Sequence, residues 1–155
     1  MFKKRNIIIL IIAIVVVWIG SSVISKVMVP EKNPSARYAG AILGGHADKI
    51  LKRVCFNCHS NETIWPWYSH VAPVSWFVVN HVDDGRRRLN FSEWDRPNEG
   101  EREITEAITS GEMPLWDYLL LHPEARLTKA ETQALISGLN ATFGPGDEGV
   151  GETER

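Results

Sequence analysis

The stretch Cys55-Phe56-Asn57-Cys58-His59 determines how the rest of this chain is interpreted. It holds both cysteines of the sequence, three positions apart, with a histidine directly after the second. This spacing is the attachment signal of c-type haem, because on one helical turn each thiol can reach one vinyl group of the ring. The histidine then offers an imidazole nitrogen to the iron, and the second axial position is closed from elsewhere in the chain. Cys55 and Cys58 are therefore predicted to hold a covalent haem, with His59 as an iron ligand.

Two other site types use the same cysteine spacing. A bare Cys-x-x-Cys also occurs in redox dithiols and in zinc sites. A zinc site would need both cysteines and two histidines from the set His59, His70, His81 and His122. These histidines form no His-x3-5-His pair, and no strand signals surround the motif as they would in a thioredoxin-like site. Haem is the favoured prediction, and both alternatives stay open here.

The N-terminus carries a membrane signal. The first 26 residues contain four basic residues and no acid, and an unbroken apolar run extends from Ile7 to Ile19. With residues 20–24 the run reaches about 18 residues, near the lower limit for crossing a bilayer. A cleaved signal peptide is the alternative, although the run is long for one and no clear small-x-small site follows it. We predict a single-pass anchor in the inner (cytoplasmic) membrane, with the domain on the periplasmic or extracellular side because the basic residues precede the span.

Length and charge set the remaining limits. The 155 residues suffice for one domain with appendages. We predict an anchor over residues 1–29, a polar linker over 30–35, a helical domain over 36–143 and a disordered tail over 144–155. The net charge is −2 although the N-terminus is basic, so the domain is acidic, which argues against nucleic-acid binding.

Apolar periodicity and capping signals predict four helices in the domain. They cover Ala36–Val54, Val74–Leu89, Glu99–Ser110 and the segment from the capping box at Thr128 to about Phe143. On the second helix, the apolar side is predicted to comprise Val74, Phe77, Val78 and Val82. That helix ends in Arg86, Arg87 and Arg88, of which one could pair with a haem propionate, although a solvated basic end is the commoner outcome.

The segment between the motif and the second helix is predicted to be a loop, Asn61–Pro73, rich in aromatic residues. Trp65, Trp67 and Tyr68 could wall one edge of a haem or donate to a propionate. A ligating histidine also needs an acceptor for its other ring nitrogen. For His59 we expect a carbonyl before Trp67, or an acid.

Met113 is the methionine outside the anchor and its flank, in Gly111-Glu112-Met113-Pro114. Pro114 prevents the backbone from continuing as helix, so a methionine held there can direct its sulfur inward. Met113 is thus the candidate for the second axial position.

The order of these elements resembles class I cytochrome c. In that family the methionine of the Met-Pro loop is the distal iron ligand, and the N- and C-terminal helices cross near the haem. Five segments also resemble the bacterial haem-binding domain family. They are Cys55–Thr63, Trp65–Ser69, Ala72–Trp76, Asn90–Trp94 and Gly111–Pro114. The resemblance covers about residues 51–139.

The resemblance implies an all-α, class I cytochrome c-like domain around a covalent haem c, preceded by one transmembrane helix. Cys55 and Cys58 correspond to the thioether cysteines, His59 to the proximal ligand and Met113 to the distal ligand. The long insert after His59 also contains His70 and His81, and either could replace Met113 on the iron.

Iron with two protein ligands leaves no position for a substrate, so we expect one-electron transfer rather than catalysis. The partner would be a redox protein that the sequence does not identify. A haem-based sensor or small-molecule-binding module with a displaceable distal ligand is the alternative function. A zinc- or disulfide-stabilised interaction module without a redox role is the third.

Overall fold

The computed structural model describes residues 4–36, 42–93 and 103–144, and these residues form helices and loops without a strand. The α-helices are α1 (Lys4–Met28), α2 (Gly45–Val54), α3 (Phe56–His59), α4 (Val74–Arg88), α5 (Ile104–Thr109), α6 (Tyr118–Leu121) and α7 (Lys129–Phe143). Two 3-10 helices cover Trp67–His70 and Pro123–Ala125. The predicted all-α class is confirmed. Residues 145–155 of the tail predicted over 144–155 lie outside the described residues.

Helix α1 contains the apolar run of the N-terminus. Its side chains between Ile7 and Ile19 are exposed, as expected for a helix without a protein environment around it. The helix is long and apolar enough to cross a bilayer, a property that signal sequences share. The prediction of one N-terminal apolar helix is therefore confirmed.

The core lies between α2 and α7. The two helices approach closely at Gly138, where an added Cβ would lie 2.7 Å from the Cβ of Ala47. Leu51 of α2 and Leu135 and Leu139 of α7 are almost completely buried in the same apolar cluster. This packing fixes the C-terminal end of α2, where the cysteine motif begins.

Helix α2 begins later than predicted. The helix starts at Gly45 rather than at Ala36, and residues 37–41 lie outside the described part of the chain. The carboxylate of Asp48 accepts hydrogen bonds from the backbone amides of Ile42 (2.9 Å) and Leu43 (3.2 Å). A side chain that takes these amides stabilises a turn in front of the helix, which apolar spacing does not reveal.

The later helices follow their start and stop signals. The predicted capping box opens α7, because the Thr128 hydroxyl accepts from the Glu131 amide and the Glu131 carboxylate accepts from the Thr128 amide. Helix α5 covers Ile104–Thr109, whereas residues 99–102 of the predicted helix lie outside the described residues. Gly111 follows it with a φ of 78°, the left-handed conformation that glycine tolerates.

Helix α4 starts at the predicted residue, but of its predicted apolar side only Val82 is buried. Its buried residues are Ser75, Val79, Val82 and Gly85. Val74 and Phe77, expected on the apolar side, are 41% and 64% exposed. The helix is rotated because two close contacts fix its other side. Ser75 forms a buried hydrogen bond with Ser25 of α1 (2.6 Å), and Gly85 lies against the carbonyl of Cys58.

Candidate cofactor site

The cysteine motif lies at the junction of α2 and α3. Cys55 follows α2 directly and donates its amide to the Leu51 carbonyl at 2.8 Å. The amide of His59 in turn donates to the Cys55 carbonyl at 2.9 Å. Cys55, Cys58 and His59 therefore share one helical turn, the arrangement that the spacing predicts for covalent haem.

The two thiols are free and partly buried. Burial, with a smaller contribution from the neighbouring Cys58, raises the pKa of Cys55 to about 12. Burial also raises the pKa of Cys58 to about 11, although the Arg86 guanidinium opposes this shift. A redox dithiol needs a thiolate with a lowered pKa. The environment therefore keeps both groups as thiols, which disfavours the thioredoxin-like alternative.

The imidazole of His59 is held in one tautomer. Its Nδ1 lies 3.1 Å from the Leu89 carbonyl oxygen, and because a carbonyl only accepts, Nδ1 carries the proton. Burial lowers the pKa of His59, against hydrogen bonds to the carbonyls of Leu89 and Gly85, so the ring stays neutral. A neutral ring with Nδ1 protonated leaves Nε2 as a free metal ligand. The expectation of an acceptor before Trp67, or of an acid, was wrong: the acceptor follows α4, where a helix end leaves carbonyls unpaired.

Helix α4 supports the motif from one side. A Cβ added to Gly85 would lie 2.6 Å from the Cys58 carbonyl oxygen, so only glycine permits this approach. Phe91 donates its amide to the His59 carbonyl at 2.8 Å and packs edge-on against the His59 ring at 6.5 Å. Phe91 also stacks on Phe56 at 5.7 Å. The proximal histidine thus lies in a packed environment.

Arg86 ties three segments together. Its guanidinium donates to the Ser60 carbonyl (2.7 Å), the Thr63 hydroxyl (2.8 Å) and the Asn33 side-chain oxygen (2.8 Å). Asn33 itself donates to the Thr63 carbonyl at 2.8 Å. The segment 30–35, predicted as a polar spacer, is therefore bonded to the motif loop. These contacts give Arg86 a structural role, whereas Arg87 pairs with Asp84 on the surface.

A cluster of aromatic and titratable side chains lies beside the motif. The Tyr68 hydroxyl is 2.6 Å from Nε2 of His122, and His122 Nδ1 is 2.8 Å from the Glu124 carboxylate. Tyr118 stacks on His122 at 4.1 Å and accepts a hydrogen bond from Asn57 at 2.9 Å. From the sequence, Tyr68 was expected only as a haem contact and His122 only as a possible zinc ligand. Their separation of more than fifty positions gave no signal for this cluster.

Met113 lies directly after α5. Its amide donates to the Ala107 carbonyl at 2.9 Å, and its side chain is partly buried. This places the residue on a non-helical turn, as the Gly-x-Met-Pro pattern indicated. Its role as an iron ligand stays a prediction.

The two competing histidines have different surroundings. His70 Nδ1 pairs with the Glu31 carboxylate at 3.0 Å, on the linker side of the domain. His81 is partly buried on α4, and His46 is exposed, as expected of a surface histidine. Among the described residues, no three histidine, cysteine or acidic side chains form a metal-binding group. The described part of the chain thus gives the zinc alternative no support.

The segments around the motif fit a large apolar ring. Ile64, whose amide donates to the Asn57 side chain at 3.1 Å, is 77% exposed. Leu120 and Leu121 are 65% and 61% exposed on α6, the helix whose Tyr118 bonds Asn57. Apolar side chains beside paired thiols and a neutral imidazole are the environment that a haem requires.

The fold and the site together define a small all-helical haem-binding domain behind an apolar N-terminal helix. The sequence profile of the haem-binding domain family matches residues 15–141 of this chain. The match covers most of the sequence, and the chain belongs to this family. No curated protein and no solved structure matches it.

Proposed function

We propose that this protein is a membrane-anchored monohaem c-type cytochrome domain that transfers single electrons and is not an enzyme. The observation that carries the proposal is the single helical turn that presents Cys55, Cys58 and the Nε2 of His59 together. When bound, the haem supplies a one-electron iron couple. The protein supplies attachment, orientation and electrostatics.

The motif residues have separate roles in this proposal. Cys55 and Cys58 would hold the haem through thioether bonds, each formed by addition of S–H across one vinyl group, so that no leaving group is needed. His59 holds the iron through Nε2, and its Nδ1–H···O=C bond to Leu89 strengthens and orients the ligand.

Met113 is proposed to fill the second axial position. Its thioether is neutral and soft, and it favours the reduced iron relative to a second imidazole. Two strong axial ligands leave no open position, which supports electron transfer over the sensor alternative. The electron would pass to a redox partner protein, with α1 keeping the domain at the membrane on the periplasmic or extracellular side.

The attachment is tested with the full-length protein produced in a host that matures c-type haem. After denaturing electrophoresis, haem-dependent peroxidase staining should coincide with the polypeptide. Cys55→Ala and Cys58→Ala should each lower the stained yield, and the double variant should remove it. Colour that leaves the denatured wild-type chain completely would refute covalent attachment.

Carbon monoxide binding distinguishes the sensor alternative from electron transfer. The reduced wild-type protein should not bind the gas, because both axial positions are held by side chains. Rapid binding of carbon monoxide to the reduced wild-type protein, with Met113 unchanged, would favour the sensor function.

Topology needs its own test. A periplasm-active reporter fused after Arg155 should be active, and the protein should stay with membranes after alkaline extraction. A reporter active only in the cytoplasm would overturn the orientation, and a soluble mature form would support a cleaved signal peptide.

A further inference from the structure

The first turn of α4 exposes apolar side chains that its amphipathic pattern does not explain. Trp76 and Phe77 are 43% and 64% exposed, and Val74 is 41% exposed. Exposed aromatic and aliphatic side chains in one turn form an interaction surface more often than a solvated one. The far end of the same helix is charged, with exposed Asp83, Asp84, Arg87 and Arg88.

This turn lies next to α1. An apolar groove of about 410 Å³ separates the two, lined by Ile14, Val17 and Trp18 on one side and by Pro73 and Trp76 on the other. Above the groove, the buried hydrogen bond between Ser25 and Ser75 holds the helices together at 2.6 Å. The position of Trp76 along α1 is therefore defined.

That position lies at membrane depth. Ile14 and Val17 are in the middle of the apolar run, and at about 1.5 Å per residue Val17 lies about 12 Å below Ser25. Half of the hydrocarbon core is about 15 Å thick. If α1 spans the bilayer, the groove and the side chain of Trp76 lie at the level of the acyl chains. Within the described part of the chain, Ile14, Val17 and Trp76 stay 58%, 70% and 43% exposed, so lipid is the cover that we expect at this depth.

We propose that the first turn of α4 inserts into the outer leaflet beside α1, with Val74, Trp76 and Phe77 in contact with acyl chains. The inference rests on the membrane anchoring within the proposed function. The domain then lies against the bilayer in one orientation rather than at the end of a free tether. The bonds of Arg86 to the segment 30–35 support this, because they shorten the path between anchor and domain.

The polarity along α4 agrees with this depth. Asp83 follows Trp76 by seven residues, which corresponds to about 10 Å along the axis. The apolar first turn and the charged end of α4 are therefore far enough apart to meet different environments, the first turn acyl chains and Asp83 and Asp84 the aqueous side.

Photocrosslinking tests the insertion directly. The full-length holoprotein is placed in phosphatidylcholine nanodiscs, at less than one chain per disc, with a minority of lipids carrying a diazirine on the acyl chain. After irradiation, mass spectrometry locates the lipid adducts. Adducts are expected on α1 and on residues 73–77, with α7 as the unlabelled internal reference. Labelling confined to α1 would overturn the inference and assign the apolar turn to another protein surface.

A matched pair of variants sharpens the test. Phe77→Glu should lower the adducts on residues 73–77 at least about fivefold, because a carboxylate is excluded from hydrocarbon. Asn80→Glu, exposed one turn further towards the charged end, should leave them unchanged. Equal labelling in both variants would contradict the depth argued here.

Different results would refute the membrane anchor and the insertion of α4. Release of the protein by alkaline carbonate would refute the anchor itself, and with it the proposed function. A retained protein without adducts on residues 73–77 would refute only the insertion. The haem content of each sample, measured from its absorption spectrum, should be the same in both variants.

Discussion

The two sides of the candidate site are built differently. The motif region, residues 55–63, contains the buried residues Ser60 and Asn61. It accepts hydrogen bonds from Arg86 and Phe91, and the Asn61 amide donates to the Ser92 hydroxyl. The methionine loop, residues 110–117, has mostly exposed or half-buried side chains, and Trp116 is 75% exposed. The polypeptide therefore fixes the thiols and the proximal imidazole by itself. The methionine loop has fewer packed neighbours, and we expect its changes to affect the iron more than the fold.

The largest effect on stability should come from Gly85, which supports the motif region. Gly85→Val places a side chain against the Cys58 backbone, and backbone cannot move aside as a flexible side chain can. We expect the free energy of unfolding to fall by about 3 kcal/mol, the upper part of the range for overpacking. Thermal and denaturant unfolding in detergent would measure it.

Gly20→Val is the matched control, because it makes the same change at a helical glycine where an added Cβ meets nothing within 4 Å. It should change stability by less than about 0.5 kcal/mol. Equal stability of the two variants would show that α4 does not press on the motif.

Arg86 should have the next largest effect. Arg86→Ala removes the hydrogen bonds to Ser60, Thr63 and Asn33, and it deprives the buried residues Ser60 and Thr63 of a charged donor. A loss of about 2 kcal/mol is expected from the removal of hydrogen bonds to a charged donor. Arg86→Lys should restore only part of it, since ammonium cannot reproduce the fork of guanidinium.

Arg87→Ala serves as the comparison, because Arg87 is an exposed partner of Asp84. Its cost should stay below about 0.5 kcal/mol. A similar loss for both arginines would refute the structural role of Arg86.

A third prediction concerns Asp48, which lies in the scaffold outside both regions. Burial alone would raise its pKa, but hydrogen bonds from Leu43, Lys52 and Ile42 lower it below the ordinary value. A depressed folded pKa stabilises the protein above the unfolded pKa, and this stabilisation is lost as the pH falls through the folded pKa. Asp48→Asn should therefore cost about 1 kcal/mol at neutral pH.

The difference between Asp48→Asn and the wild type should shrink as the pH falls from about 5 to about 2. Parallel unfolding curves across that range measure it. A gap that stays constant with pH would contradict the role of the charge.

The smallest effect on stability is expected at the methionine loop. Met113→Ala should cost less than about 1 kcal/mol, because the side chain is only partly buried. The redox and spectroscopic properties of the iron should change much more than the stability. The reduction potential should fall, the weak long-wavelength band of methionine-bound ferric haem should disappear, and carbon monoxide should bind the reduced form.

His70→Ala and His81→Ala are the controls for the distal ligand, and neither should alter spectrum or potential. An unchanged spectrum in Met113→Ala, together with open iron in His81→Ala, would instead establish a bis-histidine pair. In that case α4, and not the methionine loop, would supply the second iron ligand.

Local sequence signals were enough to predict a large part of the structure of this protein. The thiol spacing, the capping box at Thr128, the left-handed Gly111 and the apolar run of α1 depend on neighbours within a few residues. Such short-range chemistry predicted the helical class, the turn that carries Cys55, Cys58 and His59, and the start of α7. The pattern also carried the family membership that the profile match shows.

Contacts between distant segments were decided only by the tertiary structure. The acceptor for His59, the rotation of α4 and the pairing of Tyr68 with His122 each join residues 30 or more positions apart, or depend on such a contact. Apolar spacing placed Phe77 inside, yet the close approach at Gly85 and the bond between Ser25 and Ser75 turned it outward. Periodicity records which residues share a helix side, whereas the partner that covers that side depends on how the whole chain packs.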